Sequence, residues 1–379
     1  MRSILHGVIV LALLVSSSFH VPKNHLSDNH PVDPPFLSGD TEWVDSVFKT
    51  LSLDEKIAQM FMIAAYSNKG SNHEEELIKV ITKHKVGGVI FFQGGPERQV
   101  SMVNSLQEAS EVPLLVAMDA EWGLGMRLDS TLSYPRQMML GAIQDDSLIY
   151  FMGRDIAIQL KQIGVHMNFA PVVDINNNPG NPVINNRSFG EDKHNVAEKA
   201  IMYMQGMQDE RLLCTAKHFP GHGDTDTDSH YELPVIQHGK ERLESVELYP
   251  FKQCIQHGLT GIMAAHLSIP SLDSTRNLAS SISPKVINDL LRDQMGFKGL
   301  IVTDALNMKA VSEYFKSGEI EAKAAIAGND ILLMPADVSN AIHEIRREIR
   351  RGTISQNDID ERCKRILAAK KWVGLDEFE

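Results

Sequence analysis

Leu212-Leu-Cys-Thr-Ala-Lys217-His-Phe-Pro-Gly-His222-Gly-Asp-Thr-Asp-Thr-Asp228-Ser-His230 is an apolar run that passes without a break into a loop crowded with titratable groups. Leu212 to Ala216 carries no charge, the pattern of a strand buried on both faces. The loop from Lys217 to His230 holds two glycines, one proline, three histidines and three aspartates. Gly and Pro exclude helix there and specify a turn-rich backbone. A solvated acidic loop has no need of three histidines, so this loop is read as part of a functional site.

The same pattern recurs along the chain. Met60–Ala65, Gly88–Phe92, Pro113–Met118, His166–Val173, Gly261–His266, Gly299–Thr303 and Ile331–Pro335 are further apolar runs. Helical periodicity lies between them, at Glu74–Lys83, Glu97–Ser110, Leu148–Ile163, Val196–Glu210, Lys240–His257, a segment opening at Ser283-Pro-Lys, and Ile320–Ala327. Asn340–Arg350 and Asp358–Trp372 close the chain as two more helical segments. Eight apolar strands alternating with helices predict an α/β fold, a (β/α)8 TIM-type barrel in a single domain. A doubly wound open sheet is the competing architecture. It would more readily show a Gly-rich phosphate turn after its first strand, and none is present.

Composition narrows the partners. The chain has 379 residues and a formal charge of −12, with no Lys/Arg-rich block, which argues against nucleic acid. Met1-Arg2, the apolar Val8–Val15 and Ser16–Ser18 form basic, apolar and small-residue regions in the order of a secretory signal peptide, placed at residues 1–19. The apolar run is short for a bilayer span, so no stable membrane insertion is expected after cleavage. An uncleaved anchor is the alternative. Residues 20–40, rich in Pro, His, Asp and Ser, are expected to be a linker, and residues 41–379 the catalytic domain. The location expected is therefore periplasmic or extracellular. Three scattered cysteines, Cys214, Cys254 and Cys363, do not make a disulfide framework.

A barrel places its functional groups just after the strands, at one face. The candidates fall there. Asp119 and Glu121 follow the third run and Asp174 and Asn176 the fourth, with Arg187 in the loop beyond. Lys217 and His218 follow the fifth, His266 the sixth and Asp304 the seventh. Asp304 is a nucleophile or base candidate, with a helix N-cap as its bland alternative. Asp228 and His230, two apart, face the same side of an extended segment, so the carboxylate can orient the imidazole as a general acid/base. Two solvated loop residues are the alternative. Asp119 and Arg127 offer a carboxylate and a guanidinium fork for vicinal hydroxyls, or else an ion pair with each other. Asp224, Asp226 and Asp228 begin a calcium-loop spacing that fails at Ser229 and Val235. A metal site of His218, His266 and Asp304, as in metal-dependent barrel hydrolases, stays open in principle.

Four of these stretches, in order, resemble glycoside hydrolase family 3 β-N-acetylglucosaminidases: Met118-Asp119-Ala-Glu with Arg127, Asn186-Arg187-Ser-Phe-Gly190, Lys217 to His230, and Val302-Thr-Asp304-Ala-Leu. The resemblance runs from about Leu51 to Gly374. It implies a retaining exo-hydrolase acting on terminal β-linked N-acetylglucosamine, with cell-wall or chitin-type oligosaccharides as substrates and no metal or organic cofactor. By the same resemblance Asp304 is the nucleophile and His230 the acid/base supported by Asp228. Asp119, Arg127, Arg187, Lys217 and His218 bind the sugar. The family also contains β-glucosidases and phosphorylases. Trp122 stands where many relatives have Gly, and Asn307 where many have an acid.

Overall fold

The computed structural model describes residues 31–229 and 232–377. The expected signal peptide, the first part of the expected linker, and His230 lie outside these described residues. Eight parallel strands form one sheet: β1 Phe61–Ala65, β2 Gly88–Phe91, β3 Leu115–Met118, β4 Met167–Asn168, β5 Leu213–Phe219, β6 Gly261–Ala264, β7 Leu300–Thr303 and β8 Leu332–Leu333. Their spatial order is β7-β6-β5-β4-β3-β2-β1-β8. A parallel bridge between Val302 and Ile331 brings the two ends together and rounds the sheet into a barrel. The register pairs Met62 with Gly88, Gly88 with Leu115, Met118 with Asn168 and Ala264 with Thr303, and it shifts only between β5 and β6. Strands without polar positions work only when both faces are covered, and here helices cover the outer face.

Caps fix where the helices begin. Ser52 and Glu55 form a reciprocal capping box for Leu53–Ala58, and Ser355 and Asp358 do the same for Gln356–Trp372. Asp192 accepts from the His194 and Asn195 N–H groups and starts Lys193–Asp209. The long helix expected over Lys240–His257 is two helices, Lys240–Ser245 and Leu248–Gln256. Pro250 has no N–H to give to a preceding turn, so it is tolerated only in the first turn of a new helix.

The expected linker ends earlier than residue 40. Residues 35–37 form a short 3-10 turn, Phe36 is buried in the main core, and Asp33 pairs with Lys298 at 2.9 Å. An aromatic ring in the core is a packed element, and residues 31–40 belong to the body. Among the described residues no helix is long and apolar enough to cross a membrane. All three cysteines are buried and free.

Candidate active site

The C-terminal ends of the strands enclose a pocket of about 440 Å³. Its lining includes Asp119, Arg127, Arg187, Lys217, His218 and Asp304, so six of the eight expected site residues meet in one place. Aromatic and sulfur side chains, among them Phe92, Trp122 and Met308, make the apolar part of the wall. A larger hollow of about 820 Å³ lies beside Arg211 and Trp372, near the start of β5 and so at the other end of the barrel. It holds none of the strand-end groups.

Lys217 and His218 do not follow β5 as expected; they belong to its last residues, where the pairing with β6 shifts register between Ala216 and Phe219. Such an irregularity re-aims side chains. Lys217 is 2% exposed, and its Nζ lies 2.8 Å from Asp119 Oδ1 and 2.8 Å from Glu121 Oε1. Arg127 donates to Asp119 Oδ2 at 2.5 Å. Arg187 grips Glu121 with two donors, Nη2 at 2.7 Å and Nε at 3.0 Å. Burial works to raise the Asp119 and Glu121 carboxyls. The Lys217 and arginine charges overcome it and hold both below the ordinary carboxylate range.

His218 is bound from behind. Asp174 Oδ2 accepts from its Nδ1 at 2.7 Å, which leaves Nε2 as an acceptor facing Arg187 Nη2 at 3.3 Å. Asp304 is partly exposed on the pocket wall and accepts the Ala305 N–H at 2.8 Å. Burial would raise its carboxyl. The His266 and His218 rings, the Ala305 N–H and the Lys217 charge together hold it below the usual value. His266 itself is fully buried, with Nδ1 on Ser281 Oγ at 2.7 Å and Nε2 on the Ala305 carbonyl at 3.1 Å.

The loop from Pro220 onward folds back over the loop that follows β4. Gly221 has φ +126°, a backbone conformation that side chains rarely adopt. A Cβ on Gly223 would meet the Ile175 carbonyl oxygen at 1.7 Å. Asn181 donates to the His222 carbonyl at 2.8 Å, and Asn178 to the Thr225 carbonyl at 3.1 Å. Asp228 lies in this loop and is half-buried. Its expected partner His230 lies outside the described residues.

The alternative metal set of His218, His266 and Asp304 lacks a ligand among the described residues, because both ring nitrogens of His266 are engaged, Nδ1 by Ser281 Oγ and Nε2 by the Ala305 carbonyl. The acids and histidine that do gather within 4.8 Å are Asp224, His238 and Glu247, outside the pocket, and Arg242 lies 3.0 Å from Glu247 and neutralises them in part. The sequence named Glu121 and Asp174 only as strand-end acids. Both are buried pivots of the site, and nothing in their spacing distinguishes them from Asp119.

These residues sit in a matched region. Residues 52–369 match the Glycosyl hydrolase family 3 N terminal domain. The chain belongs to glycosyl hydrolase family 3. A beta-hexosaminidase A of Pseudoalteromonas piscicida is 34% identical over 288 residues, covering 70% of this chain and 48% of that protein. A beta-hexosaminidase of Nitrosomonas eutropha is 34% identical over 266 residues, covering 68% and 75%. Among solved structures, a family 3 beta-N-acetylglucosaminidase from Paenibacillus superposes with a TM-score of 0.80 at 36% identity, covering 86% of this chain and 63% of that one. A beta-glucoside phosphorylase reaches 0.85 at 25% identity, covering 91% and 64%. This family 3 chain thus spans about half to two thirds of several of its relatives.

Proposed function

We propose that the chain is an exo-acting, retaining β-N-acetylglucosaminidase. The observation that carries this reading is the position of Asp304, an ionised carboxylate on the wall of a pocket that also holds the Lys217–Asp119–Arg127 cluster. Retention needs a nucleophile and a separate proton donor. Asp304 Oδ attacks the anomeric carbon, the bond to the leaving oxygen breaks, and a donor protonates that oxygen. The glycosyl ester is then opened by water, whose proton returns to the donor. His230, oriented by Asp228, takes the donor role from its place in the loop sequence. A histidine adds no second negative charge near Asp304 once its proton has left. Asp119, Arg127, Arg187, Lys217 and His218 hold the terminal sugar, and the mechanism calls for no metal or organic cofactor.

The names of the relatives support N-acetylglucosamine as the sugar. Export by the N-terminal segment, and cell-wall or chitin-type oligosaccharides as natural substrates, complete the proposal. A panel of aryl β-glycosides, with the product anomer followed by NMR, tests it. Turnover of the N-acetylglucosaminide with release of the β-anomer, abolished by Asp304→Ala and unaffected by chelators, is the result expected. Near-normal turnover in Asp304→Ala refutes the assignment. The phosphorylase among the similar structures makes sugar 1-phosphate in phosphate buffer the outcome to check in the same experiment.

A further inference from the structure

One buried carboxylate joins the sugar pocket to the loop that carries Asp228. Asp174 is 1% exposed and lies at the end of the β4 segment. Its Oδ2 accepts from His218 Nδ1 at 2.7 Å, and both of its oxygens lie 3.1 Å from the His218 N–H. Its Oδ1 also accepts the His222 N–H at 2.7 Å. So two residues of the pocket wall, His218 at the end of β5 and His222 at the opening of the loop, hang on the same group.

The His222 side chain carries the connection onward. The ring is 1% exposed and meets the His218 ring edge to face at 5.9 Å between centroids. Its Nδ1 lies 2.8 Å from Thr225 Oγ1, and its Nε2 lies 3.0 Å from Ser229 Oγ, itself 2% exposed. Thr225 Oγ1 also lies 3.1 Å from the His222 carbonyl, so one hydroxyl ties the ring and the peptide of the same residue. Each ring nitrogen thus meets a hydroxyl group. Burial and the neighbouring His218 push the His222 imidazole down to about 4, so the ring stays neutral and this pattern holds across the working range of pH. Ser229 stands between Asp228 and His230 in the sequence.

We infer that His222 is a positioning residue for proton transfer: its peptide is held by Asp174, the carboxylate that also holds His218, and its ring holds Ser229, the residue between the two members of the acid/base pair. The inference rests on the retaining-glycosidase reading above, with proton donation from that loop. His222 and Ser229 also line the pocket; the role inferred for His222 is to set the place from which the donor works.

The test uses leaving groups. His222→Phe keeps an aromatic ring and removes both hydrogen bonds, and Ser229→Ala removes one. Each variant is assayed on an alkyl and on a dinitrophenyl N-acetyl-β-glucosaminide, because only the alkyl leaving group needs the proton. Loss of proton assistance costs about 10²–10⁴-fold when complete, so misplacing the donor is expected to lower kcat/KM on the alkyl substrate by about ten- to a hundredfold. On the dinitrophenyl substrate kcat/KM is expected to stay within about threefold, since formation of the glycosyl ester needs no acid there; kcat is left aside because water opens that ester with the same residue as base on both substrates. Equal losses on both substrates, or no loss on either, overturn the inference. If His222→Phe loses its circular-dichroism melting transition, Ser229→Ala decides. A wild-type protein that cleaves neither substrate sinks the parent reading and this one with it, whereas a wild type that cleaves both and variants without leaving-group dependence sink this one alone.

Discussion

Removing the Lys217 charge is the sharpest test of how the pocket is built. Lys217 Nζ lies 2.8 Å from a carboxylate oxygen of each of Asp119 and Glu121, and it is 2% exposed. At that separation, and with an effective dielectric of about 20, each attraction is worth roughly 6 kcal/mol before desolvation. Desolvation of the buried charges takes back most of this, and breaking such a group typically costs about 3–5 kcal/mol. Arg127 and Arg187 still face the two carboxylates, so Lys217→Met is expected at the lower end, about 3 kcal/mol. For a chain of this size that lowers Tm by roughly 4 °C. Glu121→Gln in the same chain removes one of the stranded charges and is expected to restore about 1–2 kcal/mol of the loss, a coupling that a double-mutant cycle reads directly. Calorimetry on the wild type, the two single variants and the double variant measures all four corners. Activity takes a different course: neither Lys217→Met nor the double variant regains sugar binding, and kcat/KM is expected to fall by about a hundredfold or more in both, because a charged donor to the sugar is gone. A Tm for Lys217→Met within about 1 °C of wild type would show that Lys217 is not the counter-charge of the pair.

Other expectations are independent of that one. His222 is held below its unfolded value of 6.5, at about 4, so the folded protein binds fewer protons than the unfolded chain between those values. Its contribution is complete above pH 6.5 and is lost as pH falls toward 4, by up to about 3 kcal/mol; in His222→Gln the fall of Tm between pH 7 and pH 4.5 is therefore expected to be shallower than in wild type. Gly223→Ala drives a Cβ onto the Ile175 carbonyl oxygen, 1.7 Å away before relaxation, and is expected to destabilise the protein by about 1–3 kcal/mol and lower kcat, both read on one preparation. At the opposite end of the barrel, Asp330 is fully buried between Arg292 and Arg365 and accepts the Ile301 N–H at 2.7 Å. Asp330→Asn is expected to cost about 3 kcal/mol of stability, seen by denaturant titration, while kcat/KM stays within about twofold.

The apolar runs revealed the barrel because each strand had to be buried on both faces, and no helix-period pattern fits a run such as Leu300–Thr303. Their ends were less legible. His166–Val173 read as one strand, yet the regular ladder keeps only Met167–Asn168, since Pro171 has no N–H to continue it. Lys217 and His218 looked like loop residues because polar side chains seldom sit in a buried strand; ion pairing and the Asp174 carboxylate make it possible. The helical segment expected to open at Ser283-Pro-Lys begins at Lys285, and the Ser283 hydroxyl donates to Asp273 at 2.6 Å. In the site, Asp119, Lys217 and Asp304 stood out because strand-end position and residue type agreed, whereas Arg127 and Arg187 drew their roles from the family motifs. Glu121 and Asp174 stood out only as strand-end acids and His222 not at all, because what sets them apart is a hydrogen-bond partner far away in sequence. Asp174 meets its histidine 44 residues on, and Glu121 its arginine 66 residues on.

On the glycosidase reading proposed above, the mutual pairing of the pocket's charges has a consequence for selectivity. Before any ligand arrives, Asp119 is already engaged by Lys217 and Arg127, and Glu121 by Lys217 and Arg187. An arriving hydroxyl therefore enters as a trade, giving back hydrogen bonds about as good as those it disturbs. A sugar with every hydroxyl in the right orientation completes the exchange. An epimer completes it at all positions but one, and there it leaves a buried ionic group short of a partner, a defect much more costly than the bond is rewarding. A pocket wired in this way gains little from general stickiness and discriminates mainly by penalising the wrong stereochemistry.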